Sequence, residues 1–236
     1  MNNSVLITGS SKGFGRNLAI EFADRGYDLI IHGRNAKELS SLEELIASEK
    51  KRQVSSVIGD ITSEDTLNQL IDEAKTRGIN ILVNNAGIYL KKEVEETSEQ
   101  EFREIMETDF FAQIRLTKKI LPLFIKEGGV IVNINSTAGA HGSLGESAYS
   151  AAKHALKGFS ESLRYEVTKK GIKIMDIFLG AMKTQMNSKR EDRDLLIDPL
   201  EAAKFIVQSC QECQKYLTVY PKEIYLSRCK YGGNKI

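Results

Sequence analysis

Residues 5 to 15 read Val5-Leu6-Ile7-Thr8-Gly9-Ser10-Ser11-Lys12-Gly13-Phe14-Gly15. Three apolar residues in a row predict a short buried strand, and the glycines after them predict a tight turn into a helix. Glycine at 9, 13 and 15 permits backbone angles and close approaches that a Cβ would block. The N–H groups that open the next helix suit a phosphate. A strand-to-helix turn with no ligand would use the same residues, and the spacing G-x-x-x-G-x-G is not the G-x-G-x-x-G fingerprint. The stretch predicts a strand-turn-helix unit and leaves its ligand open.

That unit repeats along the chain. Leu29–His32, Val54–Ile58, Ile79–Val83, Val130–Ile134, Ile172–Phe178 and Glu223–Leu226 read as further strands. Helical spacing marks Leu18 to Ala23, Leu39 to Ile46 and Leu67 to Ala74, a long helix from about Ser98 to Ile125, one bearing Tyr149 and Lys153, and one from Pro199 to Cys213. Nearly wholly apolar strands separated by helices predict an α/β fold with a parallel sheet covered on both faces. Right-handed crossovers make it a Rossmann-type doubly wound sheet whose ligand crevice lies at the carboxyl ends of the strands. The informative residues fall at those ends: Gly9 to Gly15, Arg34, Asp60, Asn85, Ser136 and Gly180. With no linker or low-complexity run in its 236 residues, the chain reads as one domain, residues 1–236.

Lys+Arg 33 against Asp+Glu 32 leaves no bulk field to draw in nucleic acid or an anionic membrane. No run reads as a signal peptide or is long enough to span a bilayer, so the expected location is cytoplasmic. Three cysteines do not make a disulfide framework. Cys210-Gln211-Glu212-Cys213 could be redox-active or half of a zinc site, but Ala203, Ile206, Cys210 and Cys213 share one helical face and read as core. No second pair supplies further metal ligands, and no metal is expected.

Tyr149 and Lys153 are one helical turn apart, thirteen residues beyond Ser136. An ammonium beside a phenol favours phenolate and lowers its pKa, which would let Tyr149 move a proton at a carbonyl oxygen. Taken singly, Tyr149 could be a helix-surface residue and Ser136 a turn serine. Together with the glycine turn, Asn84-Asn85-Ala86-Gly87 and Tyr149-Ser150-Ala151-Ala152-Lys153, the pattern resembles the short-chain dehydrogenase/reductase family in its compact single-domain branch.

The resemblance implies a nicotinamide cofactor, held by Gly9, Ser11, Lys12, Gly13, Phe14 and Gly15 around the phosphates, Asp60 and Ile61 at the adenine, and Asn85, Ala86 and Gly87. It also implies contacts from Tyr149, Lys153, Gly180, Met182 and Thr184. Ser136 would hydrogen-bond the substrate oxygen, Tyr149, its pKa lowered by Lys153 and a positively charged nicotinamide together, would be the acid and base, and Lys153 would also hold the nicotinamide ribose. NAD-type members carry Asp after the second strand; this chain has His32-Gly33-Arg34-Asn35. With no carboxylate to repel a 2′-phosphate, and Lys12 and Arg34 available to bind one, NADP(H) is favoured over NAD(H). Arg34 read alone is equally a solvated loop charge.

Two positions depart from the family. Asp109 stands where an Asn usually anchors a relay water, and Leu179-Gly180 replaces Pro-Gly, losing a fixed φ that would stiffen the loop. His141 and His154 read as bystanders. Residues 180 to 199 read as a substrate lid whose polar members, Lys183, Lys189, Arg190, Glu191, Asp192, Arg193 and Asp194, favour a polar carbonyl or alcohol substrate unless they are only a solvated face. The expected activity is an NADPH-dependent carbonyl reduction; the rival is a dinucleotide-binding sensor or scaffold that has lost turnover. Apolar residues on the two long helices, among them Phe102, Phe110, Ile114 and Phe159, predict a homodimer or homotetramer.

Overall fold

Parallel strands in the order β3-β2-β1-β4-β5-β6-β7 form a single sheet. The computed structural model describes residues 3–184, 196–216 and 220–227. Its strands are β1 Ser4–Ile7, β2 Asp28–Gly33, β3 Val54–Ile58, β4 Ile81–Asn84, β5 Gly129–Ser136, β6 Ile172–Leu179 and β7 Glu223–Leu226. Its helices are α1 Gly13–Asp24, α2 Ala36–Ser48, α3 Glu64–Arg77, α4 Glu99–Met106, α5 Ala112–Glu127, α6 Ser147–Val167 and α7 Pro199–Lys215. The order reverses between β1 and β4, where a doubly wound sheet opens its crevice.

Alternation along the strands divides the apolar side chains between two layers. Val5, Ile7, Leu29, Ile31, Ile81 and Val83 face α1, α2 and α7. Leu6, Ile30, Leu82, Ile131 and Ile174 face α3, α5 and α6. Cys210 and Cys213 are buried in the first layer, where burial pushes their thiols up, Cys213 to about 11. Both pack there as small apolar groups.

Two elements differ from the sequence expectation. β4 starts at Ile81, because Gly78 ends α3 in a left-handed conformation and the Asn80 side chain turns aside to accept the Ser4 N–H. The helix expected from Ser98 to Ile125 is interrupted by a π-helical turn, Glu107–Phe111, closed by the Ala112 N–H donating to the Glu107 carbonyl. Such a wide turn inserts an extra residue and commonly marks a functional site. Upstream, Ser98 and Glu101 form a capping box that starts α4.

Polar groups cross the sheet beneath this turn. Asn84 donates to Asn133 at 2.9 Å, and Asn133 donates to Asp176 at 3.0 Å and to Ser160 at 2.8 Å. Arg164 closes the chain on Asp176 and on the Lys222 carbonyl, which ties α6 to the strand beside it. No helix among the described residues is long and apolar enough to cross a membrane.

Candidate active site

The glycine turn is locked onto the end of β4. Thr8 Oγ1 accepts the N–H groups of Asn85 and Ala86, each at 3.0 Å, and the Asn85 amide donates back to the carbonyls of Thr8 and Gly9. A Cβ on Gly9 would come within 2.8 Å of the Ala86 Cα, and one on Gly15 within 2.3 Å of the Gly9 carbonyl oxygen. Gly9 also sits at φ +67, so glycine is required there twice over. At the start of α1, Lys12 supplies no capping hydrogen bond and no acidic residue occupies the first turn. The positive end of the helix macrodipole is therefore not neutralised from within.

Beyond the turn, Gly33, Arg34 and Asp60 lie side by side at the ends of β2 and β3. Arg34 reaches Asp60 at 3.7 Å, with both side chains largely exposed. Such a pair is worth little and yields easily to a better anion. Hydrogen bonds from the Thr62 N–H and hydroxyl hold Asp60 in place and lower its pKa. His32, read from sequence only as a strand residue, is buried here and accepts the Gly9 N–H on Nδ1 at 3.3 Å. Burial pushes its pKa down to about 4, which the Gly59 backbone offsets only in part, so the ring is neutral at physiological pH. Its place directly before Gly33-Arg34 was the available signal.

At the other end, β5 delivers Ser136 and the first turns of α6 deliver Tyr149 and Lys153. The Lys153 ammonium lies 3.1 Å from Asp109 Oδ2, donates to the Ile134 carbonyl at 3.3 Å and stands 5.6 Å from the centre of the Tyr149 ring. Asp109 comes from the π-helical turn, and its Oδ1 accepts the Ile88 N–H at 2.7 Å. Gly87 makes room for it, since a Cβ there would fall 2.8 Å from Oδ2. Burial opposes the charge on Lys153, but Asp109 and Tyr149 together hold its pKa above the ordinary lysine value.

Tyr149 feels charges of both signs from the protein. Burial raises its pKa above the ordinary value, Asp109 and Glu146 add to the rise, and Lys153 and a hydrogen bond with Ser136 only partly oppose it. Among the protein's own charges Lys153 does not dominate, because Asp109 takes up much of its field. The phenol form is the stable one.

Leu179 behaves differently from the expected loose loop. It is buried at the end of β6, in register with Ser136 on one side and Leu226 on the other, so sheet pairing fixes what proline would have fixed. Gly180 donates to the Leu226 carbonyl at 2.9 Å. Met182 then bridges to Ile197, which pins together both ends of the proposed lid. Lys189, Arg190, Glu191, Asp192, Arg193 and Asp194 lie outside the described residues.

These groups line one cavity of about 600 Å³. It takes in Ser11, Gly13, Phe14, Ile61, Met182 and Thr184 along with Gly9, Lys12, Gly15, Arg34, Asp60, Asn85, Ala86, Gly87, Asp109, Ser136, Tyr149, Lys153 and Gly180. His141 and His154 are exposed and line none of it. Sequence reading missed Ile88, Tyr89, Thr108, Ser143 and Glu146 on its wall. Tyr89 and Glu146 gave only proximity as a signal, two residues past Gly87 and three before Tyr149.

The chain is similar in sequence and fold to known proteins. The sequence pattern of the family described as short chain dehydrogenase matches residues 3–195. The 3-oxoacyl-(acyl-carrier-protein) reductase FabG of Chlamydia trachomatis is 30% identical over 81% of this chain and 79% of its own length. Serine 3-dehydrogenase of Agrobacterium fabrum is 31% identical over 80% of this chain and 76% of its own. An alcohol dehydrogenase structure from Thermococcus sibiricus superposes with a TM-score of 0.87, covering 97% of this chain and 99% of that one at 23% identity, which speaks to the fold alone. A pattern match across most of the chain, relatives at this level and a common fold make this protein a member of the short-chain dehydrogenase/reductase family, an oxidoreductase.

Proposed function

We propose that the chain is an NADPH-dependent reductase that converts a small carbonyl compound to an alcohol, with Tyr149 as the proton donor. One observation carries the reading: the glycine cradle and the Ser136, Tyr149 and Lys153 side chains open into the same cavity. The cradle suits a dinucleotide, because Gly9, Gly13 and Gly15 put bare backbone on the cavity wall and the start of α1 is free of acidic side chains. Ser11, Lys12, Gly13 and Phe14 would hold the phosphates, and Asp60, Ile61, Asn85, Ala86 and Gly87 the adenosine and its linkage. Gly33 carries no acidic group against a 2′-phosphate, and Arg34 is held by Asp60 only loosely. When bound, NADPH supplies hydride to the carbonyl carbon.

The chain's own residues handle the proton. Ser136 donates a hydrogen bond to the substrate oxygen, and the Tyr149 phenol protonates that oxygen as it becomes an alkoxide. A tyrosine whose pKa lies above its ordinary value is fully protonated at neutral pH, which is the form reduction needs. The reverse reaction needs phenolate, so it gains as pH rises. Lys153 stays charged beside both groups and helps position the ribose.

NADPH consumption with a panel of ketones and aldehydes tests the reading. Tyr149→Phe should keep NADPH binding and lose about 10²–10⁴-fold in turnover. A wild-type protein that binds NADPH and reduces nothing would instead be a dinucleotide-binding sensor, and near-wild-type turnover in Tyr149→Phe would remove Tyr149 from the mechanism.

A further inference from the structure

Glu146 occupies the N-cap position of α6 yet makes no capping hydrogen bond. Its longer side chain, unlike that of Ser, Thr, Asp or Asn, is not suited to capping and is free to reach elsewhere. Its Oε1 instead accepts the Tyr89 hydroxyl at 2.7 Å. The Tyr89 ring in turn stands edge-on to Tyr149, with centroids 5.2 Å apart and planes at 84°. Tyr89, Ser143, Glu146 and Tyr149 all line the cavity. The carboxylate is thus seated on the cavity wall, one aromatic ring away from Tyr149.

The charges on the wall sort themselves by position. Lys12, Arg34 and Asp60 lie toward the glycine turn and the ends of β2 and β3, and Lys153 is paired with Asp109. Among the described lining residues this leaves Glu146 as the carboxylate at the substrate end. It accepts one hydrogen bond from Tyr89 and keeps lone pairs on both oxygens for further donors. It is also near enough for its charge to act on Tyr149.

We propose that Glu146, seated by Tyr89, is a specificity-determining residue that selects carbonyl substrates bearing a hydroxyl or ammonium group beside the carbonyl and rejects those bearing an anion there. The assignment rests on the reductase reading of the same cavity. The shared chemistry is a hydrogen-bond donor on the carbon next to the one reduced. A carboxylate facing such a donor discriminates against the analogue lacking it, because the oxygen that Tyr89 does not occupy then gains no partner from the substrate. An anion in that place meets like charge.

Four probes of similar size test this with NADPH: hydroxyacetone, aminoacetone, butanone and pyruvate. Wild-type kcat/KM should be at least about tenfold higher for hydroxyacetone, aminoacetone or both than for butanone, with pyruvate lowest. Aminoacetone ahead of hydroxyacetone assigns the ammonium class, and the reverse assigns the hydroxylated class. In Glu146→Gln the ratio of the preferred probe to butanone should fall about tenfold or more, and pyruvate should gain on butanone. Tyr89→Phe, which keeps the carboxylate but not its seat, should lower the preferred-probe ratio while pyruvate stays lowest. NADPH dissociation constants measured on each variant report that the cofactor site is folded. Butanone or pyruvate reduced as well as the polar probes, or ratios unmoved in Glu146→Gln, would overturn the assignment and leave the reductase reading standing. No turnover of any probe by a wild type that binds NADPH would defeat both.

Discussion

Lys153 Nζ lies 3.1 Å from Asp109 Oδ2, and the two side chains are only 5% and 1% exposed. Buried together, they act as one unit whose outward field is much weaker than that of a lone ammonium. Tyr149 feels both members, and its pKa stays above the ordinary value because burial and Asp109 together outweigh Lys153.

Asp109→Asn should therefore shift the pH dependence. Alcohol oxidation requires phenolate, so its rate climbs as pH passes through the Tyr149 pKa. Removing the Asp109 charge leaves Lys153 to favour phenolate, which lowers that pKa. The alkaline rise in oxidation should move to lower pH, and the loss of reduction in alkali should move the same way. Profiles of kcat/KM in both directions measure this, and an unmoved alkaline limb would show that Asp109 is electrostatically silent.

Cofactor choice turns on Arg34. Arg34→Asp should raise KM for NADPH several-fold to about a hundredfold, the worth of a charge-assisted bond to phosphate, while NADH is unchanged or improved. Wild-type protein that prefers NADH would contradict the assignment outright.

The Arg164–Asp176 pair makes a stability prediction. Burial pushes Asp176 up to about 6 from its ordinary 3.8, against the pull of Arg164 and Asn133. Between those values the folded state binds the proton and the unfolded state does not, so stability falls as pH rises through that window. Asp176→Asn should flatten this stretch in urea denaturation. Arg164→Ala, which strands a buried carboxylate, should cost on the order of 3–5 kcal/mol at neutral pH.

Assembly is expected from the outer faces of α4, α5 and α6. Phe110 packs against Phe111 at 5.1 Å and Phe159 at 6.5 Å between ring centroids, and Phe111 remains 45% exposed. Light scattering should give a mass of two or four times 26.4 kDa, and Phe111→Glu should lower it along with activity. A fully active monomer would refute the idea.

The strands were legible because Val5-Leu6-Ile7 and its counterparts are apolar on both faces, and site residues follow at their carboxyl ends. The π-helical turn was not, since Glu107 to Phe111 continue a helical pattern and only the hydrogen bond from Ala112 to Glu107 reveals the extra residue. Asp109 could be singled out by resemblance, but its pairing with Lys153 is a contact between distant segments. Asn84, Asn133 and Asp176 interrupt apolar strands, and nothing local says that they find one another. The Tyr89–Glu146 bond likewise joins loops far apart in sequence.

The two apolar layers divide responsibility. α1, which follows the glycine turn, is bedded with α2 and α7 on one side of the sheet, while α5, which follows Asp109, and the C-terminal end of α6 are bedded on the other. The first turns of α6, which carry Tyr149 and Lys153, pack against α4 in a small cluster of their own around Ile105, Ala148 and Ala152. Lesions in separate beds should combine additively, because their packing partners are distinct. Damage beneath α1 should loosen cofactor affinity, and damage beneath α5 should blunt turnover. Selection could thus retune the hold on the dinucleotide and the handling of the proton independently, with the sheet as the bulkhead between them.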